Sequence, residues 1–122
     1  MQILGNSMKP NFQANQVVRV EAVALSDLER GDVIVYKIGE ETWIKRLVGL
    51  PGESVEIRGD QLFINGQVVD EPYNVVPFPG NCGPFTLGKD EYFVLGDNRP
   101  ASNDSCNFGP LPGDSIMQKV VP

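Results

Sequence analysis

The 122-residue sequence contains no histidine. That absence removes the Ser-His-Asp and Cys-His arrangements of hydrolytic enzymes, and the imidazole ligands on which many zinc sites depend. Any nucleophile in this chain must find another base. Basic residues are few and scattered: ten Lys and Arg stand against sixteen Asp and Glu, for a formal net charge of −6. The concentrated positive charge that grips phosphates is therefore missing, and nucleic acid is excluded as a partner. No run of about 18 apolar residues is present that could cross a bilayer as a helix, and no basic start followed by an apolar stretch marks a signal peptide. Only two cysteines occur, Cys82 and Cys106, 24 positions apart and with no CxxC pair, so the sequence offers no metal site and no cofactor signature. They are either two free core thiols or one disulfide. A bridge would close a loop whose loss of chain entropy stabilises the fold by about 3.5 kcal/mol, and would imply an oxidising compartment.

What is present reads as β-structure. At 122 residues the chain suits one domain that buries roughly two thirds of its unfolded surface. Its apolar residues come in short Val/Ile/Leu/Phe runs divided by turn residues, with 13 glycines and 10 prolines among them, which is the all-β pattern. "NQVVRVEAV" predicts a strand over residues 16–23. "DVIVYKIG" and "ETWIKRLVGL" predict two more, joined by a hairpin at Gly39 to Glu41, and "ESVEIRGDQLFINGQVV" predicts three short strands divided by Gly59-Asp60 and Asn65-Gly66. The stretch from Asp70 to Gly88 holds Pro72, Pro77, Pro79 and Pro84. Proline lacks the ladder donor, so this stretch is a loop or a sheet edge, not a central strand. "EYFVLGD" and "SIMQKVV" predict the remaining strands. The expected architecture is antiparallel β-sheet with very little helix, in one domain over residues 1–122, with an insert or loop region at about 56–90.

The chemistry starts from "GNSMKP", where Ser7 stands in a turn-like context. Without histidine, a serine nucleophile can use a lysine whose pKa an apolar environment lowers from about 10.4 toward neutrality. Lys9, Lys37, Lys89 and Lys119 lie in or beside polar or turn-rich stretches, whereas Lys45 lies inside "TWIKRLVGL". Strand alternation puts Trp43, Lys45 and Leu47 on one face, so the Lys45 amine would stand among apolar neighbours.

Four blocks follow in order: "GNSMKP", "RGDVIVY", "WIKRLVGLPGE" and "GDNRPASNDS". In that order they resemble the conserved boxes of bacterial type I signal peptidases, membrane-bound Ser/Lys proteases that remove signal peptides from exported proteins. The resemblance runs from Gln2 to about Gly109 and implies that family's antiparallel sheets and partly open barrel. It implies Ser7 as nucleophile, Lys45 as general base and Ser102 as the hydroxyl that orients the lysine amine. Asp104 and Arg46 match supporting positions. The Ser7 N–H would donate to the oxyanion, and Gly5 stands where some members carry a second donor hydroxyl. Gly96, Asp97 and Asn98 would form the turn that presents the last box to Lys45. Met8, Phe12 and Ile44 match positions that line the substrate pockets.

Two departures stand out. Asn11 replaces the threonine of most members, and Cys106 replaces an arginine that would partner Asp104, so Asp104 is expected to bond to Arg46 or to backbone N–H groups. Cys106 in this box, with Cys82 in the Pro-rich stretch, suggests a disulfide between them. The implied substrates are secretory preproteins with small residues at the first and third positions before the cut. The implied location is the extracytoplasmic face of a membrane, with contact to its surface. Family members carry a transmembrane helix just upstream of the nucleophile, and the expectation is that such an anchor was removed from this chain. Two other functions stay open: a self-cleaving Ser/Lys domain of the repressor type, which lacks the "GDNR-x-x-S-x-DS" box, and an inactive β-domain used for binding.

Overall fold

A computed structural model describes residues 1–122 as two antiparallel sheets. The first strand, β1 (Arg19–Ala22), is a short and largely exposed edge. β2 (Val33–Ile38) and β3 (Glu41–Gly49) form the central hairpin, with Ile38 opposite Glu41 across the two residues Gly39 and Glu40. Six consecutive residues of β3, Ile44 to Gly49, are buried. Both faces of this strand are therefore covered, which explains why its apolar run shows no clean alternation.

β4 (Ser54–Arg58), β5 (Gln61–Ile64) and β6 (Gln67–Val69) form the meander that the two turn signals predict. Asn65 and Gly66, both at positive φ, close its second turn as a two-residue type I′ loop demands. β7 (Asn81–Thr86) completes this four-stranded sheet in the order β6-β5-β4-β7. It lies within the Pro-rich stretch, and it is an edge. The register slips between Val55 and Ile57, leaving Gly83 and Pro84 in a bulge that spares the ladder the missing proline donor. Residues 56–90, expected as an insert or loop region, thus hold most of a sheet as well as the irregular passage from Asp70 to Gly80.

β8 (Glu91–Leu95) pairs with β3 and with the two-residue β9 (Leu111–Pro112), and β10 (Ile116–Val121) lies between β1 and β2. The larger sheet then runs β1-β10-β2-β3-β8-β9 and does not close into a barrel. Helix is limited to three short 3₁₀ turns and one four-residue turn, α1 (Ser105–Phe108).

Three apolar clusters hold these layers. Val48, Phe93 and Leu95 of the larger sheet meet Val55, Ile57, Leu62 and Ile64 of the smaller one. Ile34, Tyr36, Leu47 and Val94 form a second cluster, with Leu111 and Ile116. In the third, Ile3 and Met8 pack on Val33, Val35 and Ile44. Burying Ile3 and Met8 supplies about 2 kcal/mol apiece. That fixes the irregular N-terminal segment, and hence Ser7, against β3. Cys82 of β7 and Cys106 of α1 are joined by a disulfide with their Cα atoms 5.8 Å apart, tying the smaller sheet to the last sequence box. Cys82→Ala is expected to lower the free energy of unfolding by about 2–4 kcal/mol, read as a lower urea midpoint, and a reductant should lower the wild-type midpoint to match.

Candidate active site

β3 presents Lys45 with only 4% of its surface exposed, and Lys45 Nζ donates to Ser7 Oγ at 3.0 Å. With the amine neutral the same contact reverses, and the hydroxyl donates to the nitrogen lone pair. Burial pushes the Lys45 pKa below its ordinary value, and the nearby Asp104 carboxylate opposes that shift without cancelling it. The amine also lies 5.3 Å from the centre of the Trp43 ring. Ser7 and Lys45 share a groove of about 330 Å³, walled on one side by residues 1–7 and on the other by Glu41 to Lys45.

The box at the end of β8 locks this pair in place. Asn98 N donates to the Ser7 carbonyl at 2.9 Å and Asn98 Nδ2 to the Asn6 carbonyl at 3.2 Å. The Ser7 N–H takes no backbone partner. A side chain on Gly96 would place its Cβ 2.6 Å from the Ser7 carbonyl oxygen and closer still to Ser102 Oγ, so only glycine allows this approach. Asp104 accepts from the Gly96 N–H at 3.0 Å and the Cys106 N–H at 3.1 Å, and caps α1 with its own N–H donating in return to Asn107 Oδ1.

Ser102 Oγ makes no hydrogen bond to Lys45 or to any other protein group, although it is buried. It lines a second hollow, of about 320 Å³, beside the disulfide. Tyr36 Oη and Trp43 Nε1 are likewise buried without partners. Unpaired buried polar atoms cost about 1–3 kcal/mol each, and here they gather on the strands and the box around Lys45.

Arg46 points away from the groove. Its Nε donates to Asp97 Oδ1 at 3.1 Å and its Nη2 to Asp97 Oδ2 at 2.6 Å, with Asp97 fully buried. Asn11 Nδ2 donates to the same Asp97 Oδ2 at 2.9 Å.

The family described as "Signal peptidase, peptidase S26" matches residues 1–122. The chain belongs to the signal peptidase family. It is 34% identical to a probable signal peptidase I-2 of Synechocystis, over 97% of this chain and 59% of that one. It is 36% identical to signal peptidase I of Bacillus amyloliquefaciens, over 84% of this chain and 62% of the relative. A crystal structure of a signal peptidase I from Enterococcus faecalis superimposes with a TM-score of 0.64 at 33% identity, covering 79% of this chain and 97% of that one. The chain thus spans about three fifths of the length of these curated relatives.

Of the residues that the signal peptidase resemblance singled out, Ser7 and Lys45 are hydrogen-bonded, and Gly5 and Ile44 line the groove they share. Asp104 bonds to backbone N–H groups and not to Arg46, whose carboxylate is Asp97. Met8 lies fully buried beneath the Ser7 turn, and Phe12 lines a separate hollow with Val18 and Val120. Asp97 as the ionic partner of Arg46 and the hydrogen-bond acceptor of Asn11 is not among the residues the sequence singled out for the site. The only signal for it was an acidic residue closing an apolar strand, and the β3–β8 register that brings it to Arg46 is not readable from spacing.

The lowered Lys45 pKa has a sign that can be measured. Between its folded value and 10.5 the unfolded chain binds more protons than the native one, so stability rises with pH in that window. Lys45→Met should unfold at higher denaturant than wild type near pH 6, with the difference shrinking toward about pH 10. Gly96→Ala, whose Cβ meets Ser7 and Ser102, is expected to lower the free energy of unfolding by about 1–3 kcal/mol, read as a lower urea midpoint.

Proposed function

We propose that this chain is the catalytic part of an endopeptidase that cuts N-terminal signal peptides from exported preproteins, with Ser7 as nucleophile and Lys45 as general base. The observation that carries the reading is a buried amine of lowered pKa, 3.0 Å from a serine hydroxyl, in a chain without histidine. Lys45 takes the Ser7 proton as Oγ bonds to the scissile carbonyl carbon. The resulting oxyanion is stabilised by the free Ser7 N–H. Collapse of the tetrahedral species breaks the C–N bond, and the protonated lysine gives its proton to the departing amine. Water, deprotonated by the same lysine, then hydrolyses the acyl-enzyme and restores Ser7.

Substrate would enter as an added strand. β8 pairs with Arg46, Leu47 and Gly49 but not with Thr42 to Ile44, so that edge of β3 faces the groove unpaired. The segment Gln2 to Asn6 forms the opposite wall. Main-chain bonds to both walls hold an extended peptide. The apolar lining from Ile44 and Leu4 would suit small residues at the first and third positions before the cut. The preproteins present these sites beside a bilayer, so the membrane surface is a partner. The domain then works on the extracytoplasmic side, where the disulfide persists. Asp104 holds the box that carries Ser102.

Ser7→Ala and Lys45→Ala should each lower kcat/KM for an Ala-x-Ala precursor by at least about 10⁴-fold. Retained cleavage in either variant would overturn the dyad. In wild type, kcat/KM should rise with pH along a limb whose midpoint lies below the free-lysine value of 10.5.

A further inference from the structure

The passage from Glu71 to Val76 has no regular structure, and yet four of its six residues are tied to the groups that position Ser7 and Lys45. Glu71 clamps Arg99 through a buried ion pair at 2.6 Å, and Arg99 Nε donates to the Gly96 carbonyl at 2.7 Å. The Tyr73 ring lies 3.9 Å from the Arg46 guanidinium carbon. The Asn74 carbonyl accepts from Asn11 Nδ2 at 2.7 Å. Val76 N donates to the Asp97 carbonyl at 2.9 Å, and its own carbonyl accepts from the Arg99 N–H at 3.2 Å.

Asn11 closes these contacts into a ring. Its amide nitrogen carries two hydrogens. One goes to Asp97 Oδ2 and the other to the Asn74 carbonyl. Asp97 binds Arg46, Arg46 stacks on Tyr73, and Tyr73 leads through one peptide bond back to Asn74. The ring therefore joins the helical turn after the nucleophile, where Asn11 N and Phe12 N both donate to the Met8 carbonyl, to the strand residue that follows the base. Ser7 and Lys45 are 38 positions apart in the chain, so their separation is set by whatever connects those two segments.

We propose that the Glu71–Val76 strap is a positioning device for the nucleophile–base pair, with Asn11 and Tyr73 as the residues that set the distance between Ser7 and Lys45. It rests on the Ser7/Lys45 reading above. Neither residue touches the reacting atoms. Asn11 fixes the nucleophile turn from one side, and Tyr73 fixes the guanidinium next to the base from the other. An error of about 1 Å in such a pair costs on the order of 100-fold in rate. A turn that swings away also admits water to the amine and raises its pKa.

The test measures Ser7 acylation by a serine-directed penem, per active site counted from the stable adduct, across pH, in wild type, Ser7→Ala, Asn11→Asp, Asn11→Thr, Tyr73→Leu and Tyr73→Phe. Asn11→Asp should slow acylation by about 100-fold and Tyr73→Leu by about 10-fold, mostly in the maximal rate and not in the half-saturating penem concentration. Their pH–rate limbs should move toward that of free lysine. Tyr73→Phe keeps the ring and should behave as wild type. Asn11→Thr, with one donor hydrogen, should fall about 10-fold and carries the test if Asn11→Asp does not fold. Asn11→Thr combined with Tyr73→Leu should cost less than the product of the two, because both open the same ring. Rates within about two-fold of wild type with an unmoved pH limb, or strictly multiplicative losses, would overturn the proposal. A lower count of active sites at unchanged rate per site would overturn it too, since that is what a purely structural role gives. A Ser7→Ala protein that still forms the adduct would sink the dyad reading itself, a failure visible before any strap variant is compared.

Discussion

An amine carried out of water holds its proton less tightly, and this constraint governs the whole arrangement. As the proposed base, Lys45 could act on Ser7 only if β3 is covered on both faces, because one wet face would rehydrate the ammonium and return its pKa to the ordinary range. The third apolar cluster and the N-terminal segment cover one side, and the cluster of Leu47 and Tyr36 covers the other. The same burial strands the Tyr36 hydroxyl, the Trp43 indole N–H and Ser102 Oγ without partners. The surroundings of Lys45 are thus less favourable to folding than a plain apolar core would be, as expected of the proposed site of chemistry. Asp104 restrains the shift, and its engagement with two backbone N–H groups limits how strongly it can hold the ammonium form.

Two further layers make that burial compatible with an open groove. The smaller sheet and the disulfide support the box behind the pair, so that the groove in front needs no cover. Asp97 collects the forces: it is fully buried, it binds Arg46 in two places, and it receives the Asn11 amide. A buried ion pair of this kind adds little net stability, but removing one member leaves an uncompensated charge at a cost of about 3–5 kcal/mol. Such a contact fixes geometry more than it strengthens the fold.

Much of this was legible in the residues. The β2–β3 hairpin followed from the turn at Gly39 and the runs on either side, and the meander from Gly59-Asp60 and Asn65-Gly66, because turn chemistry is local. Lys45 could be picked from five lysines by its apolar neighbours, and the order of the boxes pointed to the family. What could not be read depends on contacts between distant segments. The partner of Arg46 hinges on the β3–β8 register, the strand Asn81–Thr86 on a bulge that hides Pro84, and the roles of Glu71 and Tyr73 on an irregular path. Met8 and Phe12 match their positions by motif, yet packing sends one into the core and the other to a different hollow.

On the side away from β2, β3 has no strand partner from Glu41 to Lys45. An edge of those five residues offers an extended peptide only a few main-chain bonds, whatever its sequence. On the proposed function, a guest held this way would be bound briefly, and the severed pieces, each keeping part of an already short ladder, would be held more weakly than the intact strand. The shortness of that edge would then favour release after the cut.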